Sequence, residues 1–355
     1  MKFAGITENR FPIDDRDLSD YSEIFHNNKM KCDNIYRMNN TVKSTFFLTL
    51  TAMVWGAGTV AQKYGMDYMG PALFQGMRNL FAALALFTVL CIGNRFKSLA
   101  FDKRIIKGGI FCGIFLTLSV MIQQIGIVGV AAGKAGFLTT FYVVLVPIFG
   151  IFLRKKTHWN TWTSVVIAML GLYFLCLKPG TGFTIDAWDM VVIISCIFFA
   201  CHILCVDSVV EDLTSNEVMK LCVVQFVFAG FCGVALAPVI DGFFVENIFD
   251  PEKIKGAMIA ILYSGIISSG IGYTFQAIGQ RYANPSATSI LLSLESVFSV
   301  IFGMLILSER MTGREFIGCL ILFIAVTIAQ LPERPKPEKM NSEKHKPEKL
   351  KTGKH

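Results

Sequence analysis

Arg78, Lys134, His202 and Glu295 lie inside long apolar runs of this 355-residue sequence. An ionisable side chain in hydrocarbon must face a cavity, a partner or a proton. Glu295 stands about eleven residues into its run, a depth of ~16 Å at 1.5 Å per residue and so near the middle of a core about 30 Å thick. A carboxylate there can bind a substrate amine or a proton, or it can form a structural ion pair with Arg78; the sequence leaves both open. Arg78, about two turns into its own run, reads as a structural or gating charge. Lys134, one turn in, belongs to the same class because its ammonium can snorkel to water. His202 is either a hydrogen-bonded interior residue or a proton relay.

The remaining candidates for lining a substrate cavity are neutral. Gln123, Gln124 and Gln276 are amides that either bridge neighbouring helices or contact a solute. Trp55 and Tyr142 are aromatics deep in their runs rather than in the interfacial belt, where they could wall a pocket. Cys201 and Cys205 flank His202, but no second cluster completes a four-ligand metal site, so no metal is expected. The other cysteines sit mostly in apolar runs, where thiols behave as small hydrophobes. No Walker A loop, His-Glu-x-x-His or Gly-x-Ser-x-Gly motif occurs, so no catalytic residue and no cofactor are expected.

These residues need elements to hold them. With 53% hydrophobic and 17% charged residues, the chain divides into ten apolar stretches. They run approximately over Ser44–Gln62, Pro71–Gly93, Ile105–Gly126, Ala131–Leu153, Trp159–Leu177, Ala187–Val206, Val218–Ile240, Ala257–Gly279, Pro285–Leu307 and Gly313–Leu331. Each approaches the ~20 residues that span a bilayer as a helix. Gly70-Pro71 and Asn284-Pro285 place proline at a first helical turn, where its missing N–H costs nothing. Unbroken helices are expected, because lipid offers backbone groups no partner. The fold class is an all-α polytopic membrane protein with ten transmembrane helices.

Most of the 33 Lys and Arg residues fall in the leading segment 1–43, the loops around Lys103 and Lys155, and the closing segment 332–355. By the positive-inside rule both termini are cytoplasmic. The net charge of +7 is then topological and does not imply nucleic acid. The Lys/Glu/Pro-rich segment 332–355 has the composition of a disordered tail near anionic lipid. The expected partners are the bilayer, a small-molecule substrate and a coupling proton; a homodimer is a compatible assembly.

A shift of 153 positions lays the third and fourth helices on the eighth and ninth. Gln123 meets Gln276, Gly126 meets Gly279, Leu138 meets Leu291, Val144 meets Val297, and Ile148-Phe149-Gly150 meets Ile301-Phe302-Gly303. The same shift pairs Tyr142 with Glu295. The halves 44–177 and 187–331 thus read as two five-helix repeats, and an odd helix count inverts the second copy in the membrane. Inverted repeats around a midplane site are a transporter design. A channel would need a filter-like element, which is absent; a non-transporting receptor or scaffold stays open.

The run from Ala132-Gly133-Lys134 to Val146-Pro147 resembles the fourth helix of EamA-type members of the drug/metabolite transporter superfamily. Leu294-Glu295-Ser296-Val297-Phe298 with Leu307-Ser308-Glu309-Arg310 is similar to that family's ninth-helix pattern, and Val54-Trp55-Gly56 through Gln62-Lys63 and Arg78 look like its first two helices. Ser296 stands where the family usually has proline, and Lys155-Lys156 replaces Glu-Arg. The resemblance implies a ten-helix carrier of small organic solutes, often an exporter of amino acids or related metabolites. Nucleotide-sugar carriers share the general architecture and are the alternative within transporters, but the bacterial-looking motifs of the resemblance imply export across the plasma membrane.

Overall fold

The computed structural model describes residues 15–93, 99–130, 138–155, 159–176, 186–307 and 312–331. Among them the regular elements are helices: α1 Asp15–Met66, α2 Pro71–Gly93, α3 Lys103–Gly129, α4 Tyr142–Phe152, α5 Trp159–Cys176, α6 Ala187–Val210 and α7 Ser215–Ile240. Then follow α8 Pro251–Gln280, α9 Pro285–Leu292, α10 Glu295–Leu307 and α11 Gly313–Ala329. Among the described residues seven helical stretches are long and apolar enough to cross a membrane, and Tyr142–Phe152 and Trp159–Leu175 are shorter apolar helices. The chain is an all-α, multi-pass membrane protein.

Helix starts follow capping chemistry. Asp186 with Asp189, Thr214 with Glu217 and Thr312 with Glu315 form reciprocal capping boxes for α6, α7 and α11. Each supplies side-chain partners for first-turn N–H groups that the helix cannot satisfy itself. Helix α2 follows Gly70, which has no side chain to cap it. Asp241, at the end of α7, accepts instead from Ala72 N at 2.7 Å and Leu73 N at 2.8 Å.

Four elements depart from the sequence expectation. Helix α1 begins at Asp15 rather than near Ser44. Neither Pro nor Gly occurs between Pro12 and Gly56, so nothing in that stretch terminates a helix. Helix α8 begins six residues earlier than Ala257, because Asp250 caps and Pro251 starts it, and its segment Tyr263–Tyr273 is wound as a π-helix. The expected unbroken Pro285–Leu307 is interrupted by a turn at Ser293 and Leu294, between α9 and α10. Ser289 and Ser293 donate to the carbonyls of Ser286 and Ile290, three residues back, which competes with the helix ladder. Both turn residues are buried, and protein-buried irregular backbone is tolerated at membrane depth.

The turn has a counterpart. Thr140 and Phe141 interrupt the fourth helix before α4. There Phe141 N donates to Leu138 O and Val143 N to Thr140 O; in the second half Leu294 N donates to Leu291 O and Ser296 N to Ser293 O. All four positions are related by the 153-residue shift. The Cys196 thiol points at the Leu138 and Thr139 carbonyls beside the first turn, at 3.1 and 3.2 Å.

Packing pairs helices across the two halves: α2 with α7, α3 with α6, α1 with α8, and α5 with α11. In the α2–α7 pair Gly230 faces Leu80 while Gly76 faces Val234, so the two run antiparallel. A Cβ on Gly76 would lie 2.5 Å from Val234 N, which explains why only glycine fits this crossing. Gly109 against Val224 and Gly113 against Phe228 make α3 and α7 parallel; Gly265 against Arg78 and Gly270 against Ala82 do the same for α2 and α8.

Candidate functional site

The centre of the bundle gathers side chains from seven helices. Trp55 of α1 stacks on Tyr273 of α8 with ring centroids 4.7 Å apart. Its indole Nε1–H donates to the Ser268 carbonyl at 3.0 Å, and Thr51 Oγ1 donates to Gly272 O at 3.1 Å. Both acceptors lie in the π-helical segment, whose altered ladder leaves carbonyls for side chains to take. The first helix thus pins the irregular part of the eighth.

Tyr273 is the hub of the cluster. His202 of α6 and Phe226 of α7 each meet its ring edge-on at 5.8 Å. Arg78 of α2 and Glu295 of α10 stand within range of the Tyr273 hydroxyl and of one another's charge. Tyr142 of α4 lies within the field of the same carboxylate. No ion pair joins Arg78 to Glu295 among the described residues, and Arg78 Nε and Nη1 are buried without a hydrogen-bond partner. Glu295 lies deep in the bundle yet stays partly accessible. Its carbonyl faces α1, where a Cβ on Gly56 would approach it to 2.8 Å.

The break between α9 and α10 makes Glu295 the first residue of a helix, and the matching turn does the same for Tyr142. A carboxylate in a first turn interacts favourably with the positive end of the helix dipole. Two opposite charges thus share the centre of the bundle without an ion pair between them. Chemically, such an arrangement can hold a proton, a cation or a polar solute against the carboxylate.

The other residues named from sequence divide between this cluster and its surroundings. His202 is buried, with Nε2 3.4 Å from Gln225 Oε1 and Nδ1 without a partner. Gln124 is fully buried and neither amide atom is bonded. Gln123 donates to Thr139 Oγ1 at 3.2 Å, near the fourth-helix turn. Gln276 donates to Gln280, which donates to Ile203 O, so this amide belongs to a bridge between α8 and α6. Lys134 lies outside the described residues. Cys205 meets Cys112 of α3, with sulfurs 3.3 Å apart. Among the described residues no group of His, Cys, Asp and Glu could hold a metal.

Sequence reasoning missed Tyr273, Gln225 and the Ser268 carbonyl. Tyr273 closes the run Ser264-Gly265-Ile266-Ile267-Ser268-Ser269-Gly270-Ile271-Gly272, whose small residues let α1 and α2 approach closely. A large polar aromatic at the end of a small-residue run was the available signal.

One solved structure superposes with a TM-score of 0.65 at 13% identity, covering 81% of this chain and 98% of its own, which shows a shared fold. An uncharacterized transporter of Archaeoglobus fulgidus is 27% identical over 285 residues, 80% of this chain and 84% of its own. An uncharacterized transporter of Bacillus subtilis is 25% identical, over 79% and 94% of the two chains. A probable amino-acid metabolite efflux pump of Escherichia coli is 21% identical, over 79% and 92%. The sequence model of the EamA-like transporter family matches residues 42–177 and 186–330, nearly all of the helical portion, and this chain belongs to that family.

Proposed function

We propose that this transporter is a secondary carrier that moves a small organic solute, an amino acid or related metabolite, out of the cell by alternating access. In this reading ten helices cross the plasma membrane as two inverted five-helix repeats with both termini in the cytoplasm. The helix directions support inversion: α3 parallels α7, α7 opposes α2 and α2 parallels α8, so the third and eighth helices oppose each other. The observation that carries the reading is the pair of matched turns, which start equivalent helices on Tyr142 and Glu295, with Tyr142, Tyr273 and Arg78 each within the field of the Glu295 carboxylate. The name of the Escherichia coli relative supports the substrate class and the direction.

Glu295 is the charge that solute or proton engages. Glu295→Gln keeps the shape and removes the charge. Proteoliposomes assayed with a panel of labelled amino acids, with and without a pH gradient, should show transport reduced about tenfold or more. A well-folded variant that retained both the wild-type rate and its pH dependence would end this reading. The topology is tested separately. Reporters fused at Thr181 should read as extracytoplasmic and those after Glu343 as cytoplasmic, and the reverse at either site would break the inverted arrangement.

A further inference from the structure

An apolar groove of about 850 Å³ opens on the outer surface between α2, α3 and α7, well away from the Tyr273 cluster. Phe101 and Phe87 stand at one end and Leu80 and Ala235 toward the other. From Val223 to Ala235 the α7 wall is twelve residues, about 18 Å at the helical rise. Half of a hydrocarbon core is about 15 Å, so the groove has the length of one leaflet.

The Phe101 end is basic. Lys220 Nζ lies 5.8 Å from the Phe101 ring and donates to Ala100 O at 2.7 Å. On α3 the spacing of Lys103, Lys107, Ile110 and Ile114 puts them on one stripe, so the groove-lining Ile110 continues outward into two lysines. Those lysines also edge a depression of about 500 Å³ that reaches Ser208. Arg104 is engaged by Asp212 at 3.2 Å, whereas Lys103 and Lys107 have no ion-pair partner among the described residues.

We propose that this surface is a binding site for one anionic phospholipid: acyl chain in the groove, headgroup on Lys103, Lys107 and Lys220. A phospholipid meets both halves of the requirement. A groove one leaflet long needs an aliphatic chain, and three cations at its interfacial end need an anion. Lys220 also lies within the field of Glu217, so a neutral lipid leaves Lys103 and Lys107 unmatched, and a soluble anion leaves the groove unfilled. Basic residues at a membrane surface attract anionic lipid by about fivefold in affinity each. The proposal needs only that the chain crosses a membrane, and it is independent of what the central site carries.

The test uses the full chain in mild detergent, titrated with equimolar phosphatidylglycerol and phosphatidylcholine of the same chain length, with bound lipid counted by native mass spectrometry. Wild type should retain phosphatidylglycerol over phosphatidylcholine by about tenfold or more. Lys103→Gln/Lys107→Gln/Lys220→Gln should bring that ratio to about one, since neutral amides attract neither headgroup by charge. Val227→Trp, which fills the groove from an exposed position and leaves the lysines in place, should lower retention of both lipids about fivefold. Equal retention by wild type, or an undiminished preference in the triple variant, would overturn the site. So would a lipid-free dimer in which a second copy fills the groove, detected as twice the chain mass.

Discussion

The turns at Thr140–Phe141 and Ser293–Leu294 are the same piece of backbone used twice, and they present different chemistry. Each tightens to the same pair of three-residue hydrogen bonds, 153 positions apart. Each delivers its next residue to the same centre, a phenol in the first half and a carboxylate in the second. In the proposed alternating-access cycle the two halves exchange roles, which accounts for a shared backbone geometry. In the same proposal a solute meets both halves at once and needs only one charge of each kind, so the side chains are free to diverge. Duplication in that reading preserves the backbone, and binding chemistry is written onto one copy.

If the halves differ in this way, charge compensation must cross between them, from Arg78 in the first to Glu295 in the second. Arg78→Met and Glu295→Gln, measured singly and together by denaturant or thermal unfolding, should show a coupling energy of roughly 1–3 kcal/mol. The double variant should be more stable than the sum of the singles implies, because removing one charge leaves the other uncompensated at depth. Strict additivity would mean that the two charges act independently, and the asymmetry would lose its electrostatic basis.

The pin between α1 and the π-helical segment of α8 tests a second difference, since the matching position in α3 lies in regular α-helix. Trp55→Phe keeps an aromatic against Tyr273 and deletes the N–H that serves Ser268 O. Leaving a partly buried carbonyl without its donor should destabilise by about 1–3 kcal/mol. Hydrogen exchange should rise selectively in Tyr263–Tyr273. A uniform rise across the bundle would show that the indole contributes packing alone.

Much of the fold was legible because its signals are local and repeated. Apolar run length placed Pro71–Gly93 to the residue, and the 153-residue shift anticipated the matched halves. The breaks were not legible: Ser293 and the π-helical Ser268 look like ordinary small residues in an apolar run. Whether the Ser268 and Gly272 carbonyls take side-chain donors depends on Trp55 and Thr51 far along the chain, and a serine that bonds the carbonyl three residues back, as Ser293 does, looks no different in sequence from one that does not. The same holds for the site. Glu295, Arg78, Trp55 and Tyr142 stood out as costly or deep residues, and they do converge. Tyr273 did not stand out, because its role comes from the helices packed around it. Gln276 looked equivalent to Gln123 by repeat position, yet each satisfies a different neighbour.

The smallest expected effect is the sharpest test of the comparison. Tyr142 occupies the position that Glu295 occupies in the other half, and its hydroxyl is buried without a hydrogen-bond partner. Deleting an unsatisfied buried hydroxyl removes a desolvated group and no bond, so Tyr142→Phe should leave stability unchanged or raise it by up to about 1 kcal/mol. The ring keeps its contact with Phe199, at 6.1 Å between centroids, and so still walls the centre. Transport should stay within about threefold of wild type, against the tenfold or greater loss for Glu295→Gln in the same proteoliposomes. Equal losses at the two positions would mean that both copies of the turn carry polar chemistry. The division of labour between backbone and side chains would then have to be abandoned. A near-silent Tyr142→Phe beside a defective Glu295→Gln would place the polar function in the second half, on a scaffold that the first half duplicates.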